Sequence, residues 1–227
     1  MNGVIWNGLP TVIFGSSGIS KETVFLIEEI NAHSPVKIFD ILGFVEAEEK
    51  MIGKEVSNYE IISCDSDFKN FAAQFPILGV VLPIGYPRVK QKIYETVLKD
   101  IPNIVYPNLI HPSVSYQANT LKMGYGNIIT AGVKLTTNIE IGNFNLINLN
   151  VTIGHDTRIS SFCVINPLAA ISGWVKINDC VLVGTGADVL QNISIGYNAT
   201  VGAGAVVVKD VEAETVVVGI PAKPLQR

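Results

Sequence analysis

Charge is scarce in this chain. Only 16% of its 227 residues are Asp, Glu, Lys or Arg, the formal net charge is -4, and no Lys/Arg cluster occurs. That balance weighs against nucleic acid or an anionic membrane as the main partner and leaves small molecules. Histidine is limited to His33, His111 and His155. The three cysteines, Cys64, Cys163 and Cys180, are odd in number and lack CxxC spacing. That pattern fits buried thiols in a reducing compartment better than a disulfide scaffold. No run of about 18 apolar residues occurs, and the N-terminus has no basic region leading into an apolar segment and cleavage site. The expectation is a cytoplasmic protein without a membrane partner. A dinucleotide fingerprint is also missing: Gly15-Ser16-Ser17-Gly18-Ile19-Ser20 reads Gly-x-x-Gly-x-Ser instead of GxGxxG, which rejects a dehydrogenase.

What is present is apolar residue in two different rhythms. With 48% hydrophobic residues the chain can bury a sizeable core. Up to about residue 110 short apolar runs alternate with helical patterns. Thr11–Phe14 is a strand ending in the glycine turn, and a helix follows to Asn31. Val36–Ile41 and Ile77–Ile84 are further strands, Arg88–Lys99 a second helix, and Ile104–Ile110 a last strand. This alternation predicts a small parallel sheet flanked by helices, an α/β domain over 1–110. Backbone N–H groups at the strand-to-helix turn, aided by the helix dipole, favour a phosphate or other anion. Sites at the carboxyl ends of parallel strands would add Gly85 and the segment around Glu46.

From residue 111 the rhythm changes to six. Every sixth position from Met123 to Val207 is large and aliphatic, fifteen in succession. A second set of mostly small apolar residues, including Val133, Val151, Cys163, Ala169, Ala187 and Ala205, follows four positions later. Six is neither a helical nor a strand period; it is the signature of a parallel β-helix. Three hexads close one triangular coil, so the ladder predicts about five coils stacked roughly 4.8 Å apart over 111–227. One pair interrupts the monotony: His155-Asp156.

The order of motifs resembles a known family. Gly-Ser-Ser-Gly18, Leu-Gly-Phe44 with acidic residues after it, Pro-Ile-Gly85 with Arg88, Leu-Ile-His-Pro112, the hexads, Ile-Gly-His-Asp156 and Val-Gly-Ile-Pro-Ala-Lys223 follow in one series. That series resembles the sugar O/N-acetyltransferases of the hexapeptide-repeat superfamily. UDP-bacillosamine and perosamine N-acetyltransferases and sialic acid O-acetyltransferases typify the family. The resemblance implies a Rossmann-like N-terminal domain holding a nucleotide-linked sugar, followed by a left-handed β-helix carrying acetyl transfer. It also implies a homotrimer with acetyl-CoA between neighbouring β-helices, and a role in surface glycan biosynthesis. By residue, it places sugar-nucleotide contacts at Ser17, Gly18, Ile19, Glu46 and Gly85, and coenzyme contacts at Cys163, Thr185 and Ala203. Ile19 and Ser20 depart from the His then Gly or Ala that the family commonly has, and Glu46-Ala47 replaces its paired aspartates. Cys163 stands where some relatives carry a histidine.

The chemistry accounts for the odd pair. An amine or hydroxyl attacking a thioester must lose a proton, and a neutral imidazole accepts it near neutral pH. His155 is the expected base and Asp156 its orienting partner. Gly173 lies 18 residues on, one coil later on the same face, where its missing side chain leaves room for a thioester carbonyl and aims an N–H at the developing negative charge. The leading reading is N-acetylation of a nucleotide-linked amino sugar by direct attack. O-acetylation of a sialic-acid-like or other sugar hydroxyl is the alternative within the class. A zinc enzyme on the same β-helix needs three histidines, and two of the three lie outside the hexads, so no metal is expected. A non-catalytic scaffolding trimer would leave His155-Asp156 without a purpose.

Overall fold

The computed structural model describes residues 7–225. Contacts divide the chain into two compact units, one comprising residues up to 84 together with 92–112, the other 85–91 together with 113 onward. Among the described residues no helix is long and apolar enough to cross a membrane.

In the first unit, β1 (Leu9–Phe14) leads through the glycine turn into α1 (Gly18–Ala32) and then β2 (Phe39–Glu46). A hairpin of β3 (Glu55–Val56) and β4 (Tyr59–Cys64), a short α2 (Phe68–Ala72), β5 (Leu78–Val81) and β6 (Ile104–Val105) follow. The sheet order is β3-β4-β2-β1-β5-β6, parallel throughout except for the β3–β4 pair. β1 is central, which explains its unbroken apolar run: Val12, Ile13 and Phe14 are buried on both faces. The sequence reading contained no β3, β4 or α2. Their pattern is short, and the hairpin is made by left-handed backbone at Ser57 and Asn58, which composition does not announce. The strand expected over 77–84 stops at Val81, before Pro83, which has no N–H to continue a ladder. The strand expected over 104–110 is two short pieces, Ile104–Val105 and Leu109–Ile110, with Pro107 between them.

In the second unit the ladder of six becomes three faces of parallel strands. Two faces have five strands each, and the third runs on to Val216–Val218 and the antiparallel Lys223–Pro224. Each strand pairs with the one 18 residues later, as Thr152 with Ala170 and Arg158 with Lys176. Every ladder residue from Ile129 to Val207 is buried. The corners turn on left-handed backbone, occupied by Asn138, Asp156 and Trp174 at one corner and by Phe144, Phe162 and Cys180 at another. These parallel coils of short repeated strands fit the left-handed β-helix of acyltransferases.

Inside the coils a polar ladder replaces part of the small apolar set. Asn127 Oδ1 accepts the Asn145 N–H at 2.9 Å, and Asn145 Oδ1 accepts the Cys163 N–H at 2.8 Å. The buried amides donate to the carbonyls of Gly142 and Ser160. Each side chain thus satisfies turn backbone that the next coil leaves open.

Candidate active site

His155 and Asp156 follow the strand Thr152–Ile153 and form a corner of the β-helix. The ring is exposed, while the flanking Ile153 and Thr157 are buried. Asp156 is left-handed, with φ 59°, a conformation that Asp tolerates better than most residues. The turn brings its Oδ2 to 2.9 Å from His155 Nδ1, and Asn138 Nδ2 donates to Oδ1 at 3.1 Å from one coil below. The hydrogen bond from His155 outweighs partial desolvation and, with that from Asn138, holds the Asp156 carboxyl below the usual range. An ionised carboxylate only accepts, so the proton of this pair sits on Nδ1 and Nε2 is left to accept another.

Gly173 is the residue one coil above. A Cβ added there would stand 2.5 Å from His155 Cε1 and 2.6 Å from Nε2. The space left by the missing side chain is therefore taken by the imidazole edge, a correction to the expectation that a thioester carbonyl fills it. The N–H of Gly173 finds no acceptor among the described residues. Elsewhere such groups are capped: Asn143, Ser161 and Asp179 side chains accept from the N–H of Tyr125, Asn143 and Ser161 in succession. At this corner glycine breaks that habit, and two unspent polar groups stand together, Nε2 and a peptide N–H. Gly154 is also necessary, because a Cβ there would lie 2.6 Å from the Gly173 nitrogen.

Beside the pair is a depression of about 290 Å³ lined by Asn138, Glu140, Asp156, Arg158, Trp174 and Lys176. The Trp174 ring approaches the imidazole edge-on at 6.4 Å, and the Trp174 backbone N–H donates to the His155 carbonyl at 2.8 Å. The sequence reading had none of Asn138, Arg158, Trp174 or Lys176; the 18-residue spacing from Asp156 was the signal that would have found Asn138 and Trp174.

Cys163 does not belong to this corner. It is fully buried, its N–H is held by Asn145, and its Sγ donates to the Asn178 carbonyl at 3.0 Å. Burial pushes its thiol up to about 12, so it is an inert packing residue, and a side-chain coenzyme contact is not available to it. Its carbonyl faces Lys90, which is buried with its Nζ 2.8 Å from the Phe144 carbonyl and 3.5 Å from that of Cys163. Burial pushes the Lys90 ammonium down to about 7, against an opposing influence of Cys163 and Cys180. Thr185 and Ala203 are exposed one above the other, but they follow strands of a different face from those before His155 and Gly173. One whole face separates the two corners within a single chain.

The expected sugar-nucleotide residues divide between the units. Ser17 is the extended residue before α1, and its carbonyl accepts from Ser20 and Lys21. Gly18 has open space around it. Ile19 is in the first turn, where its carbonyl accepts from Thr23 Oγ1. Glu46 ends β2 and reaches the turn: its Oε1 accepts from the Ser16 N–H at 2.7 Å and the Ser16 hydroxyl at 2.5 Å. The chain's own carboxylate thus takes part of the backbone anion site. Asp65 adds to the negative character; burial first and Glu46 second raise its carboxyl above the usual range. Gly85 groups instead with the second unit, also in open space. His33 Nδ1 lies 2.8 Å from the Glu29 carbonyl at the end of α1, and His111 is 3.9 Å from Glu29. Among the described residues no cluster of His, Cys, Asp and Glu could hold a metal ion.

No protein-family model matches the chain, and no curated protein matches it in sequence. Solved structures do. A mutant of perosamine N-acetyltransferase from Caulobacter crescentus, in complex with CoA and GDP-perosamine, is similar over 96% of this chain and 97% of its own, with 25% identity and a TM-score of 0.86. WeeI from Acinetobacter baumannii is 26% identical over 96% of this chain and 100% of its own, with a TM-score of 0.80. The acetyltransferase domain of PglB from Neisseria gonorrhoeae, in complex with acetyl coenzyme A, shares the fold at 24% identity, 96% and 100% coverage and a TM-score of 0.80.

Proposed function

We propose, from the premise that this chain belongs to the hexapeptide-repeat sugar acetyltransferases, that it acetylates the amine of a nucleotide-linked amino sugar for surface glycan biosynthesis. It is an acetyltransferase using acetyl-CoA as co-substrate. The observation that carries the acceptor chemistry is the His155 corner: Nδ1 committed to Asp156, Nε2 unspent, and the Gly173 N–H beside it.

Acetyl-CoA, when bound, supplies an acyl group activated as a thioester. The residues of the corner fit it, since the missing side chain of Gly154 leaves the Gly173 nitrogen uncovered and the Gly173 N–H lacks an acceptor among the described residues. His155 Nε2 takes the proton that the attacking amine loses, and Asp156 stabilises the imidazolium so formed. The Gly173 N–H donates to the acyl oxygen as negative charge gathers there. His155 then returns its proton to the leaving thiolate. No side chain forms a covalent acyl intermediate.

Thr185 and Ala203 are the remaining coenzyme contacts of this reading. Because they lie at a different corner from His155, they serve the coenzyme through a second copy, which supports a homotrimer with sites between neighbouring β-helices. Ser17, Gly18, Ile19 and Glu46 of the first unit hold the nucleotide, with Glu46 accepting from a nucleobase N–H. We place the enzyme in the cytoplasm, where acetyl-CoA and nucleotide sugars are made.

Thiol release from acetyl-CoA, followed across UDP-, GDP- and dTDP-linked amino sugars and sialic acids, tests the proposal. Turnover with an amino sugar and an acetamide in the product are expected. Turnover confined to sialic acids, with an ester as product, would replace the amine with a hydroxyl acceptor.

A further inference from the structure

Four residues succeed one another along the corner that carries the base, one per coil: Asn138, Asp156, Trp174 and Asn192, with φ of 54°, 59°, 61° and 64°. All four are left-handed, a conformation that Asn and Asp tolerate and a bulky aromatic resists. Trp174 is the exception in the column. At another corner Phe144 and Phe162 are left-handed too, but there Phe144 is buried and the two rings stack at 5.2 Å, so packing offsets the backbone cost. Trp174 is 53% exposed and has no such return. What its ring does meet is the imidazole of His155, edge-on at 6.4 Å, a separation at which aromatic pairs attract.

The His155–Asp156 pair needs support from outside itself. An ion pair between exposed side chains gains little and costs both their rotational freedom, and the imidazole is about half exposed. Two members of the column supply what the pair lacks. From one coil below, Asn138 Nδ2 donates to Asp156 Oδ1, which fixes the carboxylate with Oδ2 as the oxygen facing Nδ1. From one coil above, the indole flanks the imidazole, while Gly173 leaves the ring room beside its own Cα. The base thus has contacts on two sides, the glycine and the indole. Apolar cover close to the pair also strengthens its charge-assisted hydrogen bond.

We infer that Trp174 is a positioning residue, whose indole holds the His155 imidazole in the orientation that keeps Nδ1 on Asp156 and Nε2 beside Gly173. Its part is the orientation of the base and not the binding of either substrate. The role rests on the acetyltransferase reading, in which His155 is the base; the contact between the two rings does not.

Trp174→Asn separates this role from a structural one, because Asn suits the left-handed backbone better than Trp. Replacing a structural tryptophan would lower Tm. Replacing a positioning one leaves Tm unchanged or raised, while kcat falls about tenfold or more and KM for acetyl-CoA and for the sugar each move less than about twofold. Trp174→Phe, which restores an aromatic ring, recovers most of the rate. A second readout needs no turnover. Protonated imidazole quenches a neighbouring indole, so the Trp174 emission falls as pH is lowered through the range in which histidine titrates. That emission is the difference between wild type and Trp174→Phe, since the chain has a second tryptophan, Trp6. His155→Gln abolishes the step. Wild-type kcat in Trp174→Asn overturns the inference, as do a rate that Trp174→Phe fails to recover, an effect confined to KM for the sugar, and an emission without a His155-dependent step. An emission step that persists while no amino sugar is acetylated overturns the transferase reading instead, and the orienting contact stands.

Discussion

Gly173 and His155 are 18 residues apart in sequence and in contact across one coil, so that a Cβ on the glycine would lie 2.5 Å from the imidazole. The glycine is needed for the ring's position and not for its own backbone, since Gly173 is absent from the left-handed corner residues.

Gly173→Ala therefore displaces the base while leaving the coil intact. The imidazole is a side-chain end free to swing toward solvent, so Tm should change little. The acetyl-transfer rate should fall about 10²-fold, since misplacement of a reacting group by about an ångström costs that much. Steady-state kinetics beside a thermal melt checks this, and full activity in the alanine variant would show that the ring's place does not matter.

His155→Ala should lower kcat by about 10² to 10⁴-fold, the usual contribution of a positioned general base. Asp156→Asn should lower it less, because an amide keeps the turn but no longer stabilises the imidazolium. Acetyl transfer in the His155 variant at the wild-type rate would remove the base from the mechanism.

Asn145→Ala should destabilise the second unit. The change strips the Cys163 N–H and the Ser160 carbonyl of their Asn145 side-chain partners in a buried ladder, and leaving such groups unsatisfied costs about 1–3 kcal/mol each. Urea unfolding measures the loss, and a midpoint equal to wild type would contradict the ladder's role.

Lys90 gives a pH dependence with a defined sign. Its folded value is pushed down to about 7 from 10.5 by burial. Between those two values the unfolded chain binds the proton and the folded chain does not, so this group makes stability rise as pH rises through that window. Below about pH 7 both states are charged and the full cost of the buried ammonium remains. Lys90→Met should raise Tm most at or below neutrality, with the gap to wild type narrowing toward pH 10. A gap independent of pH would mean that the buried amine does not titrate in this range.

Much of this was legible in one dimension. The ladder from Met123 to Val207 has a period that only stacked coils can bury, and the pairing of Thr152 with Ala170 follows from counting 18. His155-Asp156 stood out because nothing else in the ladder can accept a proton at that place. The hairpin over 55–64 was not legible, because its register is set by two left-handed residues and a sheet neighbour distant in sequence. The surroundings of Cys163 were not legible for a related reason: a small residue looks the same in sequence whether its backbone faces a ligand or an asparagine ladder.

Repetition determined the β-helix and the outward place of His155, because burying an aliphatic residue every six positions leaves a single solution. Tertiary structure alone decided what stands around that histidine. Side-chain reach across coils ties Asn138 to Asp156, fills the space over Gly173 with imidazole, and sets Trp174, Arg158 and Lys176 around one depression. A period specifies which residues stack, but rotamers, hydrogen bonds and charge pairing specify what the stacked residues do.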